Sequence, residues 1–480
     1  MGLADEMRRL ARHSAIYGIG GLVSRILAVL LLPVYATYLR GEGFGKIETV
    51  VAFTTVLVIV LRMGISSAFF RFYFDSKDPE RRLLVVRTSF WFTMVMATAG
   101  LAAGWLLAGE IDGWLRLGDA PWLVRAAFVG LWAQMNFEQL TSLFRVEERS
   151  VAFLFATLAN VLITIGATIV LVVVLDKGPT GAVVGNFVGT LSVYVALLLY
   201  RRVQLGLQFD RRLLRAMNRF GLPLVPSALA LWAINFIDRI FIAHYKGQTE
   251  VGVYSVAVRI SSAIVFLMVA FRTAWPAFAY SIDDDREAKR TYSFVLTYLV
   301  VICSWVSLAL GALAPWLVDV LAPKPEFRRA AEAVAPLAFA ATAYAAYTVI
   351  AIGSGRARRT QLNWVVSGFA AAINVALNVI LIPRYGMIGA AISTLAAYVA
   401  LFGGMYVYAQ RVYPVSYQRR RVLTAAAAAV ALTIAARALD VPLGVAILLI
   451  AAYPGALLAL GFFLPAERRR LRSLVLPRGA

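Results

Sequence analysis

Hydrophobic residues form long runs along the whole chain, and short polar segments separate them. A helical run of about 20 apolar residues crosses the roughly 30 Å hydrocarbon core of a bilayer. We identify fourteen such spans: 14–38, 46–70, 86–108, 121–144, 151–175, 180–200, 220–244, 250–275, 292–320, 331–353, 361–383, 387–409, 422–438 and 442–464. The polar segments between them are too short to hold a folded soluble domain. The pattern predicts an all-α integral membrane protein with fourteen transmembrane helices.

Composition agrees with a membrane protein. The 480 residues are 61% hydrophobic and 15% charged, whereas soluble domains are about 45–50% apolar and about 25% charged. The net charge of +21 would suggest a nucleic-acid partner in a soluble chain. Here the N-terminus, the loops after even-numbered spans with the span ends next to them, and the C-terminal tail hold 31 of the 47 Lys and Arg. The positive-inside rule therefore predicts an even number of spans and two cytoplasmic termini. Because membrane orientation accounts for the positive charge, we expect no nucleic-acid partner.

Metal and disulfide chemistry have little support in the sequence. The chain has one cysteine, Cys303, and only two histidines, so we expect neither an internal disulfide nor a zinc site. Asp283 and Asp285 form a D-x-D motif, which in a soluble fold could hold a metal and a sugar nucleotide. In a chain without a soluble domain, we interpret the motif as the acidic start of a helix. No cofactor is expected.

Two pairs of motifs recur at nearly the same spacing and indicate an internal repeat. Gly45 in "YLRGEGFGKI" and Gly252 in "YKGQTEVGVY" lie 207 residues apart, and "GPTGA" at Gly178 recurs as "GMIGA" at Gly386, 208 residues later. The alternative is chance similarity of Gly-rich turns. A repeat of six spans predicts two lobes related by a pseudo-two-fold axis along the membrane normal, with a V-shaped central cavity between them. The predicted units are 1–205, 206–415, and 416–480 with spans 13 and 14.

Six arginines fall inside predicted spans and more than two residues from either end, where each central charge costs roughly 2.5 to 3.5 kcal/mol. Two of them lie close enough to span ends to reach the interface. Three others fall within a predicted depth band of roughly 10 Å at 1.5 Å per residue. Polar and small residues share their helix faces, which suits either a wet cavity or tight helix packing. The six are Arg25, Arg62 and Arg259 in the depth band, Arg125 and Arg272 near span ends, and Arg239.

Intramembrane carboxylates accompany these arginines. Asp238 precedes Arg239, but adjacent residues point about 100° apart on a helix, so we expect each to find its partner elsewhere. That partner is a charge on another helix, water, or the substrate; an interhelical ion pair of purely structural role is the alternative. Glu48, Glu138 and Asp238 can take up and release protons, and are candidates for coupling to a proton or sodium gradient.

Four segments together resemble a known family. The runs "SAIYGIGGLVSRILAVLLLPVYATYLRGEGFGKIE", "SSAFFRFYFD", "FIDRIFIAHYKGQTEVGVYSVAVRI" and "IPRYGMIGAAIST" are similar to Wzx-type oligosaccharide flippases, the polysaccharide transporters. Lipid II flippases and multidrug and toxin extruders belong to the same superfamily. The resemblance covers spans 1 to 12, and two extra helices such as spans 13 and 14 are usual in both flippase types.

The resemblance implies a transporter and not an enzyme. It implies alternating access of a V-shaped cavity in the bacterial inner membrane, and a substrate of undecaprenyl diphosphate carrying a short glycan. Lipid II flippases need cavity arginines on helices 1, 2 and 8, and the residues at comparable places are Arg25, Arg62 and Arg259. Arg239 joins them as a candidate for binding the diphosphate or sugar. Polysaccharide polymerases or glycosyltransferases are the protein partners that this role implies.

Three other functions stay open on the sequence. A lipid II flippase also carries a diphosphate head group across the membrane. A multidrug extruder is expected to have a cavity rich in carboxylates and aromatic rings, but here deep arginines outnumber deep carboxylates. A membrane glycosyltransferase or polymerase needs a large outer loop or an acidic catalytic domain, and neither is visible in the sequence.

Overall fold

A computed structural model describes residues 31–359, 361–465 and 467. Every regular element in these ranges is helical. The main helices are α1 Arg40–Arg62, α2 Ile65–Phe74, α3 Pro79–Leu106, α4 Ala108–Leu115, α5 Pro121–Val146, α6 Ser150–Ile169, α7 Gly178–Leu205, α8 Arg211–Gly221, α9 Val225–Lys246, α10 Gln248–Ser261, α11 Ala263–Tyr280, α12 Asp285–Ala312, α13 Ala314–Leu321, α14 Ala330–Arg356, α15 Asn363–Val412, α16 Arg419–Ala438 and α17 Leu443–Ala459. Shorter pieces are Leu32–Val34, the π-helical Tyr35–Leu39 and Val170–Val174, and the 3₁₀ turns Leu222–Leu224 and Pro325–Phe327.

The all-helical membrane architecture predicted from the sequence is confirmed. Nine helices of the described part are long and apolar enough to cross a bilayer. Each predicted span from the second onward contains helical residues, and the first span lies mostly outside the described residues. The number fourteen therefore stays a prediction, as do the boundaries 1–205, 206–415 and 416–480. We call the described residues up to 205 the first lobe and 206–415 the second lobe.

The second predicted span is two helices, not one. α1 ends at Arg62, and the next two residues, Met63 and Gly64, have left-handed φ angles of 48° and 73° that separate it from α2. A side chain at Gly64 would place its Cβ 2.2 Å from the Gly221 carbonyl oxygen. Glycine is therefore required, because the backbones of the two lobes touch here.

Equivalent features of the two lobes extend the sequence repeat. Gly178 and Gly386, the first residues of the repeated G-x-x-G-A motif, have φ angles of 55° and 56°. The 28-residue helices α3 and α12 are each followed by an eight-residue helix, α4 and α13, at an offset of 206 residues. These short helices do not stand out in the sequence because they are much shorter than a membrane span. The two lobes therefore share a turn geometry as well as a motif.

The lobes approach most closely where α1 crosses α10. A Cβ on Gly45 would lie 1.8 Å from the Gln248 carbonyl oxygen, and a Cβ on Gly252 would lie 2.0 Å from the Gly41 carbonyl oxygen. Gln248 lies 207 residues after Gly41, the same offset as between Gly45 and Gly252, so the contact is reciprocal. We call this contact the glycine crossing, and the end of the bundle that contains it the crossing end.

Further bonds join the lobes at the crossing end. Gln248 accepts a hydrogen bond from Thr49 Oγ1 at 2.8 Å and donates one to the Leu115 carbonyl oxygen at 2.8 Å. Arg116 Nη1 donates to the His244 carbonyl oxygen at 2.6 Å. At the opposite end, which carries the basic segments and which we call the basic end, the amphipathic α8 packs against the core of the first lobe. α16 and α17 pack on α12, outside both lobes.

We predict that Gly45→Ala weakens the glycine crossing. The added methyl group cannot fit against the Gln248 carbonyl, so α1 and α10 must separate, at a cost of about 1–3 kcal/mol. The midpoint of thermal unfolding in detergent should fall. Gly166→Ala is the matched control because a Cβ there meets nothing within 4 Å. Equal midpoints for the two variants would show that the added methyl group fits at the crossing.

Candidate functional site

A single carboxylate bridges two arginines between the lobes, one turn along α1 from the glycine crossing. Glu48 of α1 contacts Arg259 of α10 through Oε1–Nη2 at 2.7 Å, and Arg239 of α9 through Oε2–Nε at 3.4 Å. The three side chains are only 13%, 18% and 5% exposed. Charges in such an environment are stable only when they are paired. We call these three residues the lobe clamp.

Aromatic rings surround the lobe clamp. The Arg259 Cζ atom lies 4.7 Å from the centre of the Phe44 ring and 5.3 Å from that of Tyr35. The Arg239 Cζ atom lies 5.2 Å from the Phe236 ring. Ring faces attract cations and exclude water, so they hold the two guanidinium groups in place.

The structure corrects our expectation for Asp238, which pairs with its neighbour Arg239. The Asp238 Oδ1 atom lies 3.0 Å from Arg239 Nη1 and accepts the Arg239 backbone N–H at 2.9 Å. The pairing is possible because the guanidinium folds back along its own helix, where Nη1 also donates to the Asn235 carbonyl oxygen at 2.7 Å. Tyr254 donates its hydroxyl proton to Asp238 Oδ2. Asp238 thus fixes Arg239 in the direction of Glu48.

The four ionised groups at the clamp balance one another. Glu48 and Asp238 contribute two negative charges, and Arg239 and Arg259 contribute two positive charges. Both arginines therefore already have acid partners in this conformation. A negatively charged ligand therefore competes with these carboxylates for the two guanidinium groups.

A second ion pair lies within the first lobe. Arg62, at the end of α1, pairs with Glu138 of α5, and it also donates to the Met135 carbonyl oxygen at 3.3 Å. Gln134 donates to the other oxygen of Glu138. The Glu138 side chain is 37% exposed, so this pair is more accessible than the lobe clamp.

The structure does not bring all the predicted arginines together. Arg62 lies fourteen residues beyond Glu48 on α1, which is about 21 Å at 1.5 Å per residue. Arg259 contacts Glu48, whereas Arg62 pairs with Glu138, so the two arginines have different acid partners. The depth band of roughly 10 Å expected for them stays a prediction. Arg25 lies outside the described residues.

A strip of polar and aromatic side chains continues from the clamp along the second lobe. Tyr398 donates to Asn235 Oδ1 at 2.8 Å, and its ring centre lies 5.1 Å from that of Tyr344. The Arg272 Cζ atom lies 5.4 Å from the Tyr344 ring. Sequence reasoning missed both tyrosines; their occurrence in Ala-rich spans was the available signal. The strip offers hydroxyl, amide and ring surfaces.

The D-x-D motif starts a helix, as expected. The intervening Asp284 is the N-cap of α12 and accepts the Glu287 backbone N–H at 2.7 Å. In the part of the chain that the structure describes, no three His, Cys, Asp or Glu side chains group in a way that could hold a metal ion.

Comparison with known families gives one match over more than half of the chain. The family described as "Polysaccharide biosynthesis protein" matches residues 10–282. The family described as MatE matches residues 223–380. Among curated relatives, an uncharacterized membrane protein of Haemophilus influenzae is 27% identical over 276 residues, which cover 55% of this chain. The match covers 64% of that relative, so it spans less than two thirds of the relative's length.

Two solved structures that align over most of this chain are titled as a flippase and a transporter. A structure titled "Lipid II flippase MurJ, inward closed conformation" aligns with a TM-score of 0.74 at 13% identity, over 92% of this chain and 98% of the other. An inward-facing multidrug resistance MATE family transporter aligns with a TM-score of 0.62 at 16% identity, over 85% of this chain and 94% of the other. At these identities the likeness establishes the fold.

We predict that removing the clamp carboxylate destabilises the protein much more than removing the carboxylate of the second pair. Glu48→Ala leaves two buried guanidinium groups to share Asp238, which should cost about 3–5 kcal/mol. Glu138→Ala breaks a single ion pair whose carboxylate is 37% exposed, which should cost less. The free energies of unfolding in detergent can be compared by denaturant titration. Similar losses for the two variants would contradict the assignment of Glu48 as the buried link between the lobes.

Proposed function

Because the chain belongs to the polysaccharide biosynthesis protein family, we propose that it is a flippase for a polyprenyl-diphosphate-linked oligosaccharide. It moves the diphosphate and glycan from the cytoplasmic to the outer leaflet of the bacterial inner membrane, for cell-surface polysaccharide synthesis. The observation that carries this proposal is the lobe clamp, in which one carboxylate holds two buried arginines at the contact between two lobes.

Charge sorting orients the molecule in the membrane. The positive-inside rule assigns the basic end to the cytoplasm, so the crossing end faces the outside. Because Glu48, Gln248 and Arg116 bond the lobes together at the crossing end, this conformation is closed to the outside. The substrate then enters between the lobes from the cytoplasmic side.

Exchange of acid partners explains how the substrate opens the clamp. A guanidinium presents a planar fork of donors that matches phosphate oxygens, and it stays charged in any environment. A diphosphate near Arg239 and Arg259 competes with Glu48 for both. When the arginines turn to the diphosphate, Glu48 loses its cations and the lobes lose their link at the crossing end. The substrate thereby favours the outward-open state through its own binding energy.

A carboxylate released in this way is a natural coupling group. Glu48 without its arginines takes up a proton or a sodium ion more readily than Glu48 in the clamp, because the positive field that kept it ionised has gone. Release of that ion restores the clamp after the substrate leaves. Glu138 and Asp238 remain further candidates for the same role.

Other surfaces suit the remaining parts of the substrate. The strip of Asn235, Tyr398 and Tyr344 offers hydrogen bonds and ring faces to the sugars, and the Arg62–Glu138 pair offers charges from the first lobe. The polyprenyl tail stays in lipid beside the bundle. Polymerases or glycosyltransferases dock on the basic cytoplasmic end.

A lipid II flippase is the second candidate, because this chain aligns with 98% of a structure titled as a lipid II flippase. Its substrate shares the diphosphate and the polyprenyl chain, so the clamp serves both. A multidrug extruder fits less well, because two arginines repel a cationic substrate. Transport assays with defined sugar lipids and with lipid II distinguish the two flippase functions.

We predict that the clamp arginine is needed for flipping. In proteoliposomes that contain a lipid-linked oligosaccharide, Arg259→Ala should lower the rate at which the glycan becomes accessible to an external lectin by at least about tenfold, the effect of one lost charged hydrogen bond. Arg62→Ala should slow it less, because Arg62 lies outside the clamp. Arg290→Ala, at the basic end, is the control. Flipping at the wild-type rate by the Arg259 variant would refute the site assignment.

We also predict that the substrate opens the crossing end. Cysteines at positions 49 and 248, whose native side chains are hydrogen-bonded, should cross-link readily in the resting protein. The native Cys303 is buried and should not interfere. Adding lipid-linked oligosaccharide should lower the cross-linking yield, and Glu48→Gln should lower it without substrate.

Glu138→Gln is the matched control for this measurement, because its ion pair lies within one lobe. It should leave the yield unchanged. If cross-linking stays complete in the Glu48→Gln variant, Glu48 does not hold the lobes together. A reduced yield with lipid II but not with the oligosaccharide lipid would favour the second candidate.

A further inference from the structure

An apolar cleft lies on the first lobe at the crossing end, away from the lobe clamp. Its volume is about 380 Å³, and it opens between the end of α3, the start of α5 and the first half of α7. Its lining consists of Trp105, Trp122, Arg125, Ala126, Val129, Thr180, Val184, Phe187, Val188 and Leu191. Arg125 is the only charged side chain in this lining.

Close packing of two aromatic rings against glycines shapes the wall of the cleft. Phe187 lies so near Gly130 that a Cβ there would come within 1.9 Å of its ring, and Phe128 lies similarly close to Gly104 at 2.1 Å. These contacts draw α3, α5 and α7 together and place the Phe187 ring in the lining of the cleft.

Arg125 differs from the arginines of the lobe clamp and from Arg62, because no carboxylate among the described residues lies within 4 Å of it. Its Cζ atom lies 4.7 Å from the Trp122 ring and 5.5 Å from the Trp105 ring. Its Nε atom is buried and makes no hydrogen bond to any described residue. Ring faces orient the cation but do not neutralise it. Arg125 thus places a positive charge in the wall of an otherwise apolar cleft.

We propose that this cleft binds an anionic phospholipid of the leaflet at the crossing end, with one acyl chain in the cleft and its phosphate on Arg125. Tryptophans are enriched where hydrocarbon meets head groups, which is the depth of a lipid phosphate. An arginine there suits a phosphate oxygen and supplies the charge that the lipid head group balances.

The stretch of α7 that lines the cleft is about as long as one leaflet is thick. Thr180 and Leu191 are eleven residues apart on α7, or about 16 Å, and half of a hydrocarbon core of roughly 30 Å is about 15 Å. An acyl chain of a phospholipid fills that distance. A polyprenyl chain is much longer and would have to leave the cleft near the midplane, so it fits this surface less well.

Native mass spectrometry of the full-length protein with phosphatidylglycerol tests the proposal. The wild type should retain phosphatidylglycerol in preference to phosphatidylcholine. Arg125→Gln should lower the retained fraction about fivefold by removing the charge, and Arg125→Lys should keep it near the wild-type level. Val188→Trp should lower retention of both lipids by filling the cleft. Arg290→Gln, another arginine beside a ring, is the matched control.

Thermal unfolding of each variant ensures that only folded protein is compared. Wild-type retention of phosphatidylglycerol by Arg125→Gln would overturn the proposal, and so would displacement of the phospholipid by undecaprenyl phosphate at equal concentration. Equal losses for Arg125→Gln and Arg290→Gln would also overturn it, because they would indicate a general charge effect. None of these results depends on flipping, so this proposal and the proposed function can fail separately.

Discussion

One carboxylate shared by two guanidinium groups inside an apolar bundle constrains the rest of the structure. Glu48 and its two partners, Arg239 and Arg259, must stay paired, because unpaired charges in such a buried site are strongly unfavourable. The glycine crossing lies one turn away on α1, and it brings α1 and α10 close enough for the pairing. The contact between the lobes therefore depends both on small residues at the crossing and on paired charges at the clamp. Loss of either weakens the contact.

The scaffold is symmetric, but the chemistry on it is not. The repeat relates Gly45 to Gly252 and Gly41 to Gln248, so the crossing looks alike from both lobes. The same offset of 207 relates Glu48 to Ser255, a buried residue whose hydroxyl has no hydrogen-bond partner among the described residues. The carboxylate thus belongs to one lobe and both of its arginines belong to the other. A symmetric hinge with complementary charges on its two sides is suited to rocking between two states.

The sequence predicted what depends on local pattern. Apolar runs predicted the helices, and rare intramembrane charges identified Glu48, Arg239 and Arg259 as residues of interest. It could not predict how they pair, because an arginine side chain reaches several ångströms from its backbone, as Arg239 does in folding back to Asp238. It also missed the break at Met63, since a left-handed residue in an apolar run leaves no mark in hydropathy.

If the chain is the flippase proposed above, charge balance at the clamp also determines which substrates can open it. A ligand replaces Glu48 without loss only if it brings at least one negative charge and acceptors for two guanidinium groups, as a diphosphate does. A cationic ligand leaves the clamp closed, because displacing Glu48 would bring like charges together in a poorly solvated site. A neutral glycan without the diphosphate meets the same barrier. Under the proposed function, selectivity for an anionic head group therefore follows from the clamp itself, before any contact with the sugars is considered.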